Sequence, residues 1–167
     1  YNSAISNFQK AIAINPNLVG AHNNLGLVFR ILNDFDNAIK CYKKTIQIKP
    51  DHAGAYHNLA QSYKEMGDFE NSINYHKLAI KYEPNNLMNY HFLAELNKDI
   101  LDENLKLKIN EIISKKEITI NNLAYGNFLL AKYDRKNKKY EEELTHLIKA
   151  HKHFFETRKK KFELGVK

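Results

Sequence analysis

Ala38-Ile39-Lys40-Cys41-Tyr42-Lys43-Lys44-Thr45-Ile46-Gln47-Ile48-Lys49-Pro50 carries the pattern small-x3-aromatic-x2-small-x4-Pro. The pattern stands 34 residues earlier as Ala4-x3-Phe8-x2-Ala11-x4-Pro16, and 34 later as Ser72-x3-His76-x2-Ala79-x4-Pro84. A fixed period of this length marks a chain built from repeated supersecondary units.

Between these blocks a second pattern keeps the same phase: His22-x2-Leu25-Gly26-x2-Phe29, then Tyr56-x2-Leu59-Ala60-x2-Tyr63, then Tyr90-x2-Leu93-Ala94. Each unit therefore reads as two helices and a turn. Gly26, Ala60, Ala94 and Ala131 fall where the first helix of a pair would touch its neighbour, and Ala11, Ala38, Ser72, Ala79 and Ala150 where the second would. Small side chains let backbones approach, and the aromatics and leucines one turn away fill the remaining space. The prolines stop one helix and start the next because they lack a backbone N–H. Asp34, Gly67 and Asp68 fall in the turns within pairs. Helices are expected at 2–14, 18–32, 36–48, 52–66, 70–82 and 86–99.

This pattern resembles the tetratricopeptide repeat from Tyr1 to about Leu96, with several positions agreeing in phase across successive units. The resemblance implies an all-α, right-handed α-solenoid of helix–turn–helix pairs that bury a core only by stacking. Residues 1–99 read as the repeats. The first lacks its first helix, because Tyr1 stands where a second helix begins. Residues 100–167 read as an irregular helical extension, and a fragment of a longer protein is expected.

Past the third unit the register fails. Asn97 takes the fourth signature position, and Asp99-Ile100-Leu101-Asp102-Glu103-Asn104 replaces the turn. Leu105, Leu107, Ile109, Ile112 and Ile113 predict a helix from Leu105 to Lys115 with these residues roughly on one face. A degenerate pair follows: Leu130 and Ala131 match the Leu-Gly positions, Tyr140 opens a second helix, and Ala150 matches the later small residue. Glu143 stands where alanine is usual and Asp134 where an aromatic is. The last helix is expected from Lys139 to about Lys161, with Leu144, Leu147, Ile148, His151, Phe154 and Phe155 as an apolar stripe turned toward a following domain.

This order of elements resembles bacterial proteins that join tetratricopeptide repeats to a sulfotransferase domain. The stretches that carry it are Tyr90-His91-Phe92-Leu93-Ala94-Glu95-Leu96, Asn127-Phe128-Leu129-Leu130-Ala131-Lys132 and Tyr140-x6-Leu147-x2-Ala150. It implies a docking region attached to a downstream catalytic domain.

No apolar run approaches the roughly 18 residues of a membrane span, and the polar start Tyr1-Asn2-Ser3 is not a secretory signal. A cytoplasmic location is expected. Cys41 is the only cysteine, which excludes an internal disulfide. Beside the packing position Tyr42, it reads as a half-buried inert thiol.

Catalysis by these residues is not expected. Gly20, Gly26, Gly54, Gly67, Gly126 and Gly165 are isolated, so no glycine-rich phosphate loop forms. Among the eight histidines, His146, His151 and His153 are five and two residues apart, which points them in different directions instead of onto one metal. Glu141-Glu142-Glu143 reads as a solvated run near a helix N-terminus, where the dipole favours acids. No cofactor and no metal are implied.

Binding is the expected role. In a solenoid of this family the first helix of each pair lines the concave face, and the 34-residue step sets three rows beside one another: Asn23, His57 and His91; Asn24 and Asn58; Arg30, Lys64 and Lys98. Asparagine both donates and accepts, so a ladder of asparagines can hold an extended peptide by its main chain. A cationic row beside it favours acidic residues or a C-terminal carboxylate. The Asn24/Asn58 spacing resembles the asparagine ladder in the repeats of O-linked N-acetylglucosamine transferases. The competing reading is a solvated face, since cations suit helix C-termini in any case.

Much of the net charge of +7 falls late. Lys132, Arg135, Lys136, Lys138 and Lys139 form one cluster, and Arg158 to Lys161 another. These could meet phosphates or an acidic partner, but neither is interleaved with stacking aromatics and neither forms a nucleic-acid motif. The expectation is a protein- or peptide-binding scaffold within a larger protein such as a sulfotransferase. The alternatives are the repeat region of a glycosyltransferase-type enzyme and a free-standing adaptor. Nucleic-acid binding is the least favoured.

Overall fold

The structure, a computed structural model, describes the backbone of residues 1–165 and all side chains up to that point except Thr157 and residues 160–165. Among the described residues the fold is all-α, in the order α1 (Asn2–Ile14), α2 (Val19–Ile31), α3 (Phe35–Ile48), α4 (Ala53–Glu65), α5 (Phe69–Tyr82), α6 (Leu87–Leu96), a 3₁₀ turn (Lys98–Ile100), α7 (Glu103–Ile113), α8 (Ile120–Lys136) and α9 (Tyr140–Gly165). None of these helices is long and apolar enough to cross a membrane. The chain forms two compact units that divide between Pro84 and Asn85.

The first unit consists of α1 to α5. Its helices follow the predicted ones to within a residue or so, because caps set their ends. Asp34 and Asp68 cap α3 and α5 by accepting from the backbone N–H groups of Asn37 and Asn71, at 3.3 and 3.1 Å. Each cap is worth about 1 kcal/mol. The turns before them repeat one geometry. Asn33 (φ 59°) and Gly67 (φ 83°) both sit in the left-handed region. The next N–H, of Asp34 or Asp68, returns to the carbonyl of Phe29 or Tyr63 at 2.9 Å. This is a Schellman closure, and it satisfies the last carbonyls of α2 and α4.

The prolines acquire a second role. The His22 Nε2–H donates to the Pro16 carbonyl at 2.9 Å, and the Tyr56 hydroxyl to the Pro50 carbonyl at 3.0 Å. These are the same repeat position, and they pin the start of each pair to the end of the previous one.

Packing follows the small-residue slots. Ala38, Ala60, Ser72 and Ala79 are fully buried. Ala38, Ile39, Tyr42 and Leu59 form a core cluster with Phe29, Ile46, Tyr63 and Tyr75 against it. A Cβ added at Gly26 would lie 2.7 Å from the Tyr42 ring, so glycine is what lets α2 and α3 close. Burial pushes the Tyr42 hydroxyl up to about 12, an effect that the nearby Arg30 charge only partly offsets.

In the second unit the regular pairing stops. Asn97 ends α6, and its side chain accepts from the Asp99 N–H at 2.9 Å, starting the 3₁₀ turn. Where Phe29 and Tyr63 continue their helices, an asparagine competes for the backbone and breaks this one. The expected helix to residue 99 therefore closes at Leu96.

Helices α6 and α7 both pack on α8, which also carries α9. In α7, Leu105, Ile109 and Ile112 are buried, but Leu107 is 60% exposed. The expected single face is corrected there, because a residue two along from Leu105 turns to the opposite side of the helix. Asn122 ties α8 to the start of α6, accepting from the Leu87 N–H at 3.0 Å and donating to the Asn85 carbonyl at 2.9 Å.

The α8–α9 turn restores the repeat geometry. Lys138 (φ 60°) takes the left-handed position, and the Lys139 N–H reaches the Asp134 carbonyl at 2.9 Å. The two departures from the pattern pair across this turn: buried Asp134 binds His146 Nδ1 at 2.7 Å, and buried Glu143 receives Arg135 at 2.6 Å. Glu143 is thus not part of a solvated run, because the small-residue slot faces α8 and a carboxylate there needs a cation. On the rest of α9, Leu144, Ile148 and Phe155 are 60%, 61% and 69% exposed. Lys160 and Lys161 of the expected basic run lie outside the described side chains.

Candidate functional site

The expected binding rows lie on α2 and α4 in the first unit and on α6 and the 3₁₀ turn in the second. On α2 and α4 the rows come together, but diagonally. Asn58 donates from Nδ2 to Asn23 Oδ1 at 3.1 Å, across the two expected asparagine positions. Asn24 stays exposed. The face therefore offers one fixed amide pair beside one open amide, in place of two equivalent rungs. Asn58 still has its carbonyl oxygen and a second N–H to give.

His57 is half-buried, its ring 5.5 Å from that of buried His76 on α5 in an edge arrangement. Arg30 binds Glu65 of α4 at 2.8 Å. The cationic row is thus partly neutralised at its first member, a pairing the 34-residue comparison could not show because Glu65 lies one position past Lys64. Lys64 is half-buried on the same helix. Cys41 lies half-buried on α3, its thiol pushed up to about 11 by burial and then by Asp34. A thiol so far above neutral pH is protonated and unreactive.

In the second unit His91 is bracketed by rings: Tyr125 at 5.3 Å, Phe92 at 5.5 Å and Phe128 at 5.6 Å between centroids. Its Nε2 also lies 3.3 Å from Glu95. Lys98 stands on the 3₁₀ turn and not on the helix of His91, because α6 stops before it. Sequence reasoning placed it on the face but missed what gathers around it. Lys136 from α8 donates to the Lys98 and Leu101 carbonyls at 3.2 and 2.9 Å. Lys132 lies 3.5 Å from Glu95. Together with Arg135 these line a cleft of about 480 Å³.

The histidines proposed and set aside as metal ligands have separate partners. His146 meets Asp134, His151 stands edge-on to Phe128 at 5.3 Å, and His153 lies 3.4 Å from Glu156. Among the described residues no three potential ligands converge on one point. Arg158 lies over the Phe154 ring at 5.0 Å. Several of the late cations are therefore held by the protein itself.

The fold is shared with solved structures of low identity. The chain is similar to the crystal structure of MamA, with a TM-score of 0.61, 18% identity, and 93% of this chain and 89% of that one covered. It is also similar to YrrB, described as a TPR protein with an unusual peptide-binding site, with a TM-score of 0.62, 14% identity, and 86% and 74% covered. A comparison with curated proteins gives no match. The family profiles described as TPR repeat and tetratricopeptide repeat match residues 1–30 and 26–67, and 53–86, respectively. With its paired helices, repeated Schellman turns and small-residue slots, the chain belongs to the tetratricopeptide repeat family.

Proposed function

We propose that the protein is a peptide-recognition scaffold whose groove is the α2–α4 face, read through Asn23, Asn24, Asn58, Arg30, His57 and Lys64, with His91 and Lys98 serving the second unit. The observation that carries it is the Asn58–Asn23 bond beside open Asn24. A side-chain amide held in place loses little freedom when a peptide main chain joins it, which favours capture. YrrB, which shares the fold, is itself described as having a peptide-binding site.

The finer reading, a docking region within a larger sulfotransferase or glycosyltransferase, draws support from the order α7, α8, α9 after the last regular pair. Nucleic acid is less favoured, since Arg135, Lys136 and Lys132 have partners within the protein.

Peptides selected on the wild-type protein from a random display library provide the test. Asn58→Ala and Lys64→Ala are each expected to weaken the selected peptides about tenfold, the loss of roughly one hydrogen bond to a charged or well-placed group, with helicity by circular dichroism intact. Unchanged affinity in both variants would remove the groove.

A further inference from the structure

We propose that the open apolar face of α9 pairs antiparallel with the same face of a second copy of this chain, giving a reversible two-fold dimer. The proposal goes beyond the peptide-binding reading and does not depend on it.

Spacing sets the face. Tyr140, Leu144, Ile148 and Phe155 follow one another at four, four and seven residues, which keeps them on one side of a helix over four turns. All four are between 60% and 69% exposed. A single exposed apolar residue is ordinary on a protein surface, but a continuous row marks a contact. A different side of α9, carrying buried Glu143 and Ala150, packs on α8. The repeat itself indicates what shape belongs on the open side. Leu144 follows Glu143 as Ile39 follows Ala38, and in the first unit Ile39 packs with Leu59 of α4. A helix therefore fits this face.

Charge decides which helix. α9 opens on exposed Glu141 and Glu142 and turns basic toward its end, with Lys152, Arg158 and Lys159 exposed. Glu156, the remaining acid of that end, turns to His153. Glu141 and Lys152 are eleven residues apart, close to three turns, so they share one flank of the apolar row. In an antiparallel pair like flanks meet. Laying one row over the other sets Tyr140 against the second copy's Phe155, places Ile148 near the two-fold axis and brings each Glu141 within reach of the second copy's Lys152. Parallel packing would set acid beside acid and base beside base. The contact is roughly 20 Å long at the helical rise per residue. That is short of a permanent interface, so the dimer forms as concentration rises.

Sedimentation velocity on the 167-residue chain, from micromolar to millimolar protein, is the test. The wild type is expected to pass from monomer to dimer and to stop there, because a contact of like with like closes on itself. Leu144→Asp and Ile148→Asp should each weaken the dimer roughly tenfold or more by putting a carboxylate into the apolar row, and the milder Leu144→Ala several-fold. These side chains are exposed, so helicity and the urea midpoint should not move. Leu107→Asp, at an exposed position on α7, should leave the dimer as it is. Glu141→Lys and Lys152→Glu should each weaken it a few-fold, and the two together should restore it. A monomer at every concentration, growth past the dimer, or a dimer indifferent to Leu144→Asp and Ile148→Asp would overturn the proposal. A double charge reversal that associates no better than either single one would overturn its antiparallel arrangement.

Discussion

Leu59→Ala is expected to destabilise the first unit by about 3 kcal/mol, within the range for leucine truncation in a tight core. The side chain is fully buried from α4 against Ala38, Ile39 and Tyr42. Those neighbours cannot collapse into the gap, because Ala38 and Tyr42 are themselves fixed between α2 and α4. A unit of this size would lose roughly 15 °C of thermal midpoint. Urea unfolding followed by circular dichroism measures the loss. Hydrogen exchange at the α4 amides localises it, which matters because stacked repeats need not unfold in one step. Leu107→Ala is the internal control: that side chain is 60% exposed on α7 and should change stability by less than about 0.5 kcal/mol. Equal effects at the two leucines would contradict the packing described for both helices.

Gly126→Val should disrupt the second unit on a similar scale. A Cβ at this position on α8 would lie 2.6 Å from Ile113 Cγ2 and 3.0 Å from Leu87 Cδ1. Leu87 is fully buried, so it has nowhere to go. Helix propensity pulls the other way, since glycine in a helix interior costs up to about 1 kcal/mol relative to alanine. Overpacking of about 3 kcal/mol outweighs that gain. Valine also brings two γ carbons into a contact already too close. Gly20→Ala, where no atom lies within 4 Å, isolates the propensity term and should be neutral or mildly stabilising. If Gly126→Val unfolds at the wild-type urea midpoint, α8 does not approach α6 and α7 as closely as described.

These two positions also show what a reader of the sequence could and could not see. Leu59 was legible: it recurs at Leu25 and Leu93 in phase with the small-residue slots, and the period alone puts it in the core. Gly126 was not, because it stands outside the repeated pattern and its neighbours Ile113 and Leu87 come from elements whose packing no period describes.

The same boundary runs through the candidate site. The α2 and α4 rows followed from a 34-residue step, yet the Asn58–Asn23 and Arg30–Glu65 contacts cross it by one residue and depend on how two helices are rotated. In the second unit, Asn97 was visible as a departure, but not that it would cap a 3₁₀ turn and so move Lys98 off its helix. Glu143 looked solvated because acids suit a helix N-terminus. Only the position of Arg135 across the turn reveals that the buried Glu143 carboxylate is paired.

Everything rests on one arrangement: consecutive helix pairs of constant step, with α4 laid against α3 so that Leu59 enters the slot beside Tyr42. Nuclear Overhauser contacts in protein labelled at leucine and isoleucine methyls test it directly. The account predicts strong cross-peaks from the Leu59 methyls to the Tyr42 ring and to the Ile39 methyls. Their absence, with Leu59 instead reporting solvent exposure or contacts outside this cluster, would contradict it.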